Sequence, residues 1–219
     1  MGKDARSLSV DLILASASPR RAAILSNAGF QFKIVTVAID ETRRRGEPAA
    51  KYVRRLAMEK ARAVKTRLEA ERRDGQRHGA GRRLTVIVGA DTAVVVGAQV
   101  LGKPKSREEA RRMLRRLSGR AHDVYTGAAL IGVELSGRER SAGSVGRSFV
   151  EKTRVEFARL SEKEIEDYVR TREPFDKAGA YAIQGLGAKF VKRIEGCYFN
   201  VMGLPLTRLY EEFRKLQGL

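Results

Sequence analysis

The 219-residue sequence predicts an α/β fold with a mixed sheet flanked by helices. Segments with helix-like and with strand-like hydrophobic periodicity are both present. They do not follow the strict strand–helix alternation that predicts a wholly parallel sheet. Hydrophobic residues make up 42% of the chain, which is enough for one large domain or a compact two-lobed one.

The predicted helices begin at recognisable N-terminal signals. Serine is a favoured N-cap, proline suits the first helical turn, and Ser-x-x-Glu is the spacing of a capping box. These signals predict helices over residues 18–28, 48–70, 106–117 and 161–171 and from Pro205 onwards.

The predicted strands are apolar or alternating segments between turn-forming residues. They are residues 8–15, 30–38, 84–96, 122–135 and 148–157, followed by a hairpin of 190–194 and 198–202. Residues 84–96 form the most hydrophobic segment and are interpreted as two strands interrupted at Asp91-Thr92.

The remaining segments set the domain organisation. Residues 1–9 are predicted to be an N-terminal extension, and residues 10–217 a single domain. Within that domain, 71–83 and 136–147 are basic, polar and glycine-containing, which is typical of surface excursions.

Basic residues dominate the charge, with a formal net charge of +18 and a pI of about 10.6. Such a charge indicates either nucleic-acid binding or a solvated, arginine-rich surface, and it attracts anionic substrates in both cases. No aromatic residues interleave with the basic runs to stack bases, so nucleic acid is a partner that the sequence allows but does not favour.

Several protein classes are excluded by what the sequence lacks. The one cysteine, Cys197, rules out an internal disulfide framework and a cysteine-based zinc site. No segment approaches the ~18 apolar residues of a membrane span, and no long apolar run marks a signal peptide. We therefore expect a cytoplasmic protein that does not associate with membranes.

A candidate anion site lies between the first strand and the first helix, at Ser16-Ala-Ser18-Pro-Arg20-Arg21. The first turn of a helix presents free backbone N–H groups and the positive end of the helix dipole. The two arginines in that turn add donors for phosphate oxygens. The alternative interpretation is a capped helix with surface arginines.

Two charged residues stand where apolar side chains are expected. Asp91 lies inside the apolar run, and a buried carboxylate is costly unless it is paired or bound to metal. Lys60 falls on the apolar face of the long helix. Its ammonium either extends past that face into water or reaches a buried anion.

Loops carry the other candidates. Glu41 lies in a polar loop before three arginines, and Lys103 follows a glycine after the apolar strands. A glycine-containing loop carries Asp176, Lys177 and Gln184, and glycine lets backbone approach a ligand closely. The Gln184 amide offers a donor and an acceptor that could match a base edge. The two histidines form no triad with a suitably placed serine or cysteine.

Nine short segments, in order along the chain, resemble the Maf (septum-formation inhibitor) family. They are Leu-Ala-Ser-Ala-Ser-Pro-Arg-Arg at 14–21, Ile-Asp-Glu at 39–41, Glu-Lys-Ala at 59–61, Gly-Ala-Asp-Thr at 89–92, and the segments 102–104, 117–119, 124–126, 174–185 and 200–205. The resemblance implies a two-lobed mixed α/β fold with an elongated sheet and a cleft between the lobes, as in the house-cleaning inosine triphosphatases. It also implies a homodimer.

The resemblance further implies hydrolysis of nucleoside triphosphates to the monophosphate and pyrophosphate. It implies a divalent metal ion, with Mg²⁺ favoured over Mn²⁺, held with the attacking water by Glu41 and Asp91. The other implied roles are phosphate contacts for Ser18, Arg20 and Arg21, charge neutralisation for Lys60 and Lys103, cleft lining for Asp176 and Lys177, and base contacts for Thr92 and Gln184. The residue types at Thr92 and Gln184 resemble those of the subfamily that prefers dTTP and UTP.

Two other functions stay open. One is a non-catalytic nucleic-acid-binding or cell-division regulator on the same fold. Binding of nucleic acid that weakens steeply with increasing salt would support it. The other is a phosphatase that uses the same cleft, which would release phosphate instead of pyrophosphate.

Shortening the excursion at 71–83 should leave turnover nearly unchanged at moderate salt, because polar, glycine-containing surface loops tolerate deletion. Steady-state kinetics of pyrophosphate release by the shortened and full-length proteins measure this. Loss of turnover with an unchanged circular dichroism spectrum would instead mean that the excursion closes over the site.

Overall fold

Seven strands form one mixed sheet in the computed structural model, which describes residues 10–73, 83–135 and 145–216. The strands are β1 (Val10–Leu14), β2 (Phe32–Ile34), β3 (Arg83–Val96), β4 (Gln99–Leu101), β5 (Ala121–Leu135), β6 (Val145–Phe157) and β7 (Val191–Glu195). They lie in the order β2-β1-β3-β5-β6-β7, with β4 paired to the far end of β3. The β1–β2 and β1–β3 pairs are parallel and the other described pairs are antiparallel, so the predicted mixed sheet is confirmed.

Six α-helices accompany the sheet in the described part of the chain. They are α1 (Pro19–Asn27), α2 (Ala49–Arg73), α3 (Arg107–Leu117), α4 (Glu162–Arg170), α5 (Tyr198–Met202) and α6 (Leu206–Leu216). Ser161 forms the predicted capping box with Glu164, whereas Ser106 caps α3 through its side chain alone. None of these helices is both long and apolar enough to cross a membrane.

The helices divide the molecule into two lobes that share β3 and β5. In the first lobe, α2 covers one face of the sheet, while α1 and α6 cover the other. In the second lobe, α3 and α4 pack on the far ends of β3, β5 and β6, around Leu114, Phe157 and Val169. Apolar side chains fill each of these three interfaces, which gives the flanked, two-lobed arrangement that was expected.

Helix α2 lies directly on the sheet because two strands present glycine to it. A Cβ on Gly89 of β3 would overlap the carbonyl oxygen of Ala57, and a Cβ on Gly127 of β5 would overlap the carbonyl group of Val53. Ala57 and Val53 are fully buried in this contact. The close approach sets the depth of α2 and therefore the distance from β3 to the next turn of the helix, which carries Lys60.

Strand β3 runs without interruption through Asp91 and Thr92, so the prediction of two strands was wrong. Its antiparallel partner β5 accompanies it along nearly its whole length, and this pairing keeps the segment extended. The interruption is on the opposite edge of β3, which pairs with β1 as far as Val88 and with β4 only from Val94 onwards. Between Val88 and Val94, none of the described strands pairs with β3 on that side.

The prediction of a hairpin from 190–194 and 198–202 was also wrong. The first segment is β7, but the second is helix α5. Gly196 (φ 121°) ends β7, and Gly203 (φ 111°) ends α5 in a left-handed conformation. Between them, the side chain of Asn200 is fully buried and makes hydrogen bonds that an extended strand would not position. An apolar segment this short does not distinguish a strand from a helix.

Several boundaries differ from the predicted ones. Strand β2 is shorter than 30–38 because the bond from Val35 N to Leu14 O is the last that β1 supplies. Helix α2 continues to Arg73 and β6 begins at Val145, so each enters a segment predicted as an excursion. The predicted N-terminal extension and the greater part of both excursions, residues 1–9, 74–82 and 136–144, lie outside the described residues.

We expect Gly127→Ala to lower the free energy of unfolding by about 1–3 kcal/mol, because the new methyl group fits only if α2 moves away from β5. Urea denaturation measures the effect. Gly146→Ala is the matched control, since a Cβ at this strand position meets nothing within 4 Å. Equal unfolding midpoints for the two variants would contradict the close approach of α2.

Candidate functional site

A cleft of about 710 Å³ opens at the unpaired edge of β3, between the two lobes. Its walls come from the first turn of α1, the loop before α2, the loop after β4, and the segments that follow α4 and α5. All eleven side chains predicted for the site line this one cleft: Ser18, Arg20, Arg21, Glu41, Lys60, Asp91, Thr92, Lys103, Asp176, Lys177 and Gln184.

Lys60 bridges two carboxylates on the α2 side of the cleft. Its Nζ lies 2.6 Å from Asp91 Oδ1 and 2.7 Å from Glu41 Oε1. The side chains of Lys60 and Asp91 are 15% and 13% exposed. Of the two interpretations of Lys60, contact with a buried anion is therefore the correct one.

Glu41 is held in its ionised form by this contact. Partial burial opposes ionisation, but the hydrogen bond and positive charge of Lys60 outweigh it and keep the pKa of Glu41 below its usual value. The Glu41 side chain is 52% exposed, so its ionised carboxylate is within reach of a ligand in the cleft.

The loop that carries Glu41 is fastened to α2 by two side chains. Arg55 forms a bidentate ion pair with Glu47, at 2.7 and 2.8 Å, and also donates to Thr42 O at 3.1 Å. The hydrogen bonds from Arg55 lower the pKa of Glu47 to about 2. Tyr52 Oη donates to the backbone carbonyl of Glu41 at 2.9 Å. The loop is thus attached to the same helix as Lys60.

Arg21 is buried and joins three parts of the cleft. It donates to Gly203 O at 2.8 Å, to Ser16 Oγ at 2.9 Å and to Thr92 Oγ1 at 3.1 Å. Its side chain is enclosed, with the residue 8% exposed, and this burial lowers the pKa of the guanidinium group. Three of its five N–H donors are therefore engaged within the protein.

Thr92 continues this network away from the cleft. Its hydroxyl lies 2.9 Å from Thr126 Oγ1, and Thr126 donates to Asn200 O at 2.9 Å. Asn200 Nδ2 donates to Val124 O at 3.0 Å and to Thr153 Oγ1 at 2.9 Å. The network links α1 through β3 and β5 to α5.

Cations and an acid face each other across the cleft. Arg20 donates to Asp176 Oδ2 at 2.9 Å, and Lys177 contacts the other carboxylate oxygen. Lys177 also donates to Glu173 O at 2.8 Å. Lys103 lines the cleft and is exposed. Arg20, at 26% side-chain exposure, is more accessible to a ligand than Arg21.

The segment with Gln184 is shaped by Glu173. The Glu173 carboxylate accepts the backbone N–H groups of Leu186 at 2.9 Å and Gly187 at 3.1 Å. A Cβ on Gly185 would overlap the same carboxylate, so a larger residue there would displace the Glu173 side chain. Gln184 precedes this anchored turn and is exposed at the cleft wall.

Sequence reasoning missed four residues that shape the site: Tyr52, Thr126, Glu173 and Asn200. Two of them carried a usable signal. Tyr52 lies eight residues before Lys60, which places both on one stripe of α2. Asn200 is a polar residue inside a short apolar segment, the same kind of signal that singled out Asp91.

Known proteins with similar sequences identify the family of this chain. The profile of the family described as Maf-like protein matches residues 11–216. A dTTP/UTP pyrophosphatase from Pelotomaculum thermopropionicum is 45% identical over 205 residues, covering 94% of this chain and 96% of the relative. A dTTP/UTP pyrophosphatase from a Geobacillus species is 47% identical over 206 residues, covering 94% and 97%.

The similarity to solved structures is weaker than the similarity to these relatives. The Staphylococcus aureus Ham1 protein matches with a TM-score of 0.34 and 12% identity, over 68% of this chain and 72% of that one. Such a score supports no conclusion, and the fold is instead defined by the sheet and helices described above. On the profile match and the two relatives, the chain belongs to the Maf family.

Proposed function

We propose that this protein hydrolyses dTTP and UTP, each to its monophosphate and pyrophosphate. The observation that carries the proposal is the Lys60 bridge between Asp91 and Glu41 in a cleft at the unpaired edge of β3. The two relatives that match nearly the whole chain bear the name of this activity.

The charge of the cleft suits a triphosphate. Six arginine and lysine side chains and three carboxylates line it, so its net charge is positive. A triphosphate carries about four negative charges, and catalysis of its hydrolysis consists mainly of positioning and electrostatic stabilisation. Arg20, Lys103 and Lys177 are the cations that a bound phosphate chain would meet.

The donor set also fits a magnesium ion. Within the described residues, no group of three or more His, Cys, Asp and Glu side chains could hold a metal. Asp91 and Glu41 both contact the Lys60 ammonium, which brings the two carboxylates close together, and Mg²⁺ is commonly held by one or two carboxylates together with substrate phosphates and water. Bound there with the nucleotide, the ion would polarise phosphate oxygens and neutralise their charge.

Asp91 is suited to accept the proton of the attacking water. Lys60 engages Oδ1, which fixes the orientation of the carboxylate and leaves Oδ2 to accept a proton. Attack on the α-phosphorus breaks the bond to the bridging oxygen, and the pyrophosphate leaves with that oxygen. The exposed cation Lys103 and the paired cation Arg20 stabilise the charge that develops on it.

The proposed preference for dTTP and UTP rests on the shape of a uracil or thymine edge, an N–H between two carbonyls. The exposed Gln184 amide at the cleft wall offers both a donor and an acceptor to match it. Cytosine presents an acceptor in place of the N–H, and each polar group left unpaired costs about 1–3 kcal/mol. The homodimer and the cytoplasmic location expected from the sequence stay predictions.

Asp91→Asn should keep the fold and reduce turnover about 10²–10⁴-fold, because an amide neither accepts the proton nor binds a metal ion well. Steady-state pyrophosphate release from dTTP measures the effect. Asp123→Asn is the matched control, since Asp123 is also a strand aspartate paired with a lysine, Lys152, at 2.9 Å, and does not line the cleft. Near-normal turnover by folded Asp91→Asn would remove Asp91 from this role.

The substrate ranking tests the base pocket. We expect kcat/KM for dTTP and UTP to exceed that for CTP, GTP and 7-methyl-GTP, and Gln184→Ala to narrow the difference between UTP and CTP. Parallel kinetics with the five nucleotides decide the point. Highest kcat/KM for CTP or 7-methyl-GTP would contradict the proposed base preference. An unchanged ratio of kcat/KM for UTP and CTP in Gln184→Ala would show that Gln184 only supports its loop.

A further inference from the structure

The hydroxyl groups of Thr92 and Thr126 form a hydrogen-bond chain whose direction is fixed at its buried end. Thr126 is fully buried, and its Oγ1 lies 2.9 Å from the backbone carbonyl oxygen of Asn200. A carbonyl oxygen can only accept, so the one hydroxyl hydrogen of Thr126 is directed to Asn200. Thr126 has no second hydrogen to offer to any other group.

This direction determines the role of Thr92. The contact between the two hydroxyl oxygens, at 2.9 Å, requires one hydrogen, and Thr92 has to supply it. Arg21 then donates to Thr92 Oγ1 at 3.1 Å, which uses one of its two lone pairs. Thr92 is left with one free lone pair and no free hydrogen.

The free lone pair lies at the cleft. Thr92 lines the cleft and is partly exposed, next to Gly203, where an added Cβ would lie 3.3 Å from Oγ1. Successive residues of a strand point to opposite faces, so Thr92 faces α1 and α5 while Asp91 faces α2. The lining that β5 and α5 contribute is apolar and includes Val124, Val201 and Met202, which suits a base. The polar neighbour on the α1 side, Arg21, already donates to Thr92.

We propose that Thr126 is a positioning residue that holds Thr92 as an acceptor only, and that Thr92 thereby selects a base with a ring N–H. The proposal rests on the proposed function and adds the device that separates uracil and thymine from cytosine. The N3–H of uracil or thymine donates to the free lone pair. The N3 of cytosine carries a lone pair instead, which meets that of Thr92 with no hydrogen between them.

Removing the buried acceptor tests the chain without changing the cleft lining. In Thr126→Val, the Thr92 hydroxyl loses the partner for its hydrogen and is free to turn that hydrogen towards the cleft, where it can serve cytosine N3. Thr126→Ser keeps the hydroxyl and should keep the preference. Thr153→Val is the matched control, because Thr153 is a fully buried threonine bonded to Asn200 from the other side and does not contact Thr92.

The measurement is the ratio of the dissociation constants of α,β-imido-CTP and α,β-imido-UTP, by calorimetry, together with kcat/KM for CTP and UTP. We expect Thr126→Val to reduce the preference for the uracil nucleotide about tenfold, the effect of one neutral hydrogen bond to a buried group. Thr126→Ser and Thr153→Val should retain the wild-type ratio.

The outcomes separate this inference from the proposed function. An unchanged ratio in folded Thr126→Val, or an equal loss in Thr153→Val, would overturn the inference while leaving pyrophosphate release from UTP intact. Absence of pyrophosphate release by the wild-type protein would instead overturn the proposed function. If Thr126→Val does not fold, Thr92→Val takes its place, and a retained preference in that variant overturns the inference.

Discussion

Helix α2 can lie where it does because β3 and β5 present glycine at the points of contact. With side chains at positions 89 and 127, the helix would stand further from the sheet, and the Lys60 ammonium would lie further from Asp91 on β3. The same helix also carries Arg55 and Tyr52, which hold the loop of Glu41. The packing of α2 on the sheet therefore determines where Lys60 and Glu41 lie relative to Asp91.

The two faces of β3 take different parts in the site. Asp91 points to α2 and belongs to the charged centre, whereas the next residue, Thr92, points to the buried Arg21 and the hydrogen-bonded network behind it. Arg21 is engaged in three internal hydrogen bonds, so holding the walls of the cleft together is a larger part of its role than the sequence suggested. Arg20, one residue earlier, keeps its guanidinium accessible.

Caps, prolines and charged residues in apolar runs have local physical causes, so the sequence predicted most helices and singled out Asp91 and Lys60. That the remaining site residues share one cleft was implied by the family resemblance. Prediction from the sequence failed where the cause was distant. The continuity of β3 at Asp91 depends on pairing with β5, and the helical form of Tyr198–Met202 depends on a buried Asn200 that bonds to β5 and β6. Neither partner can be identified from the residues that it controls. Thr126 was missed for the same reason, since its importance lies in a hydrogen that points to a carbonyl 74 residues away.

The sharing of β3 and β5 by both lobes has a mechanical consequence. The lobes are not joined by a flexible linker with a hinge, since two continuous antiparallel strands run from one lobe into the other. Movement of one lobe relative to the other therefore requires flexing or twisting of the sheet itself. Among the described strands, β3 has a partner on one side only between Val88 and Val94, so this stretch has fewer in-plane restraints than the doubly paired stretches on either side of it. Bending of β3 in this stretch would move Asp91 and Thr92. Opening of the cleft and the alignment of these two side chains are therefore coupled through β3.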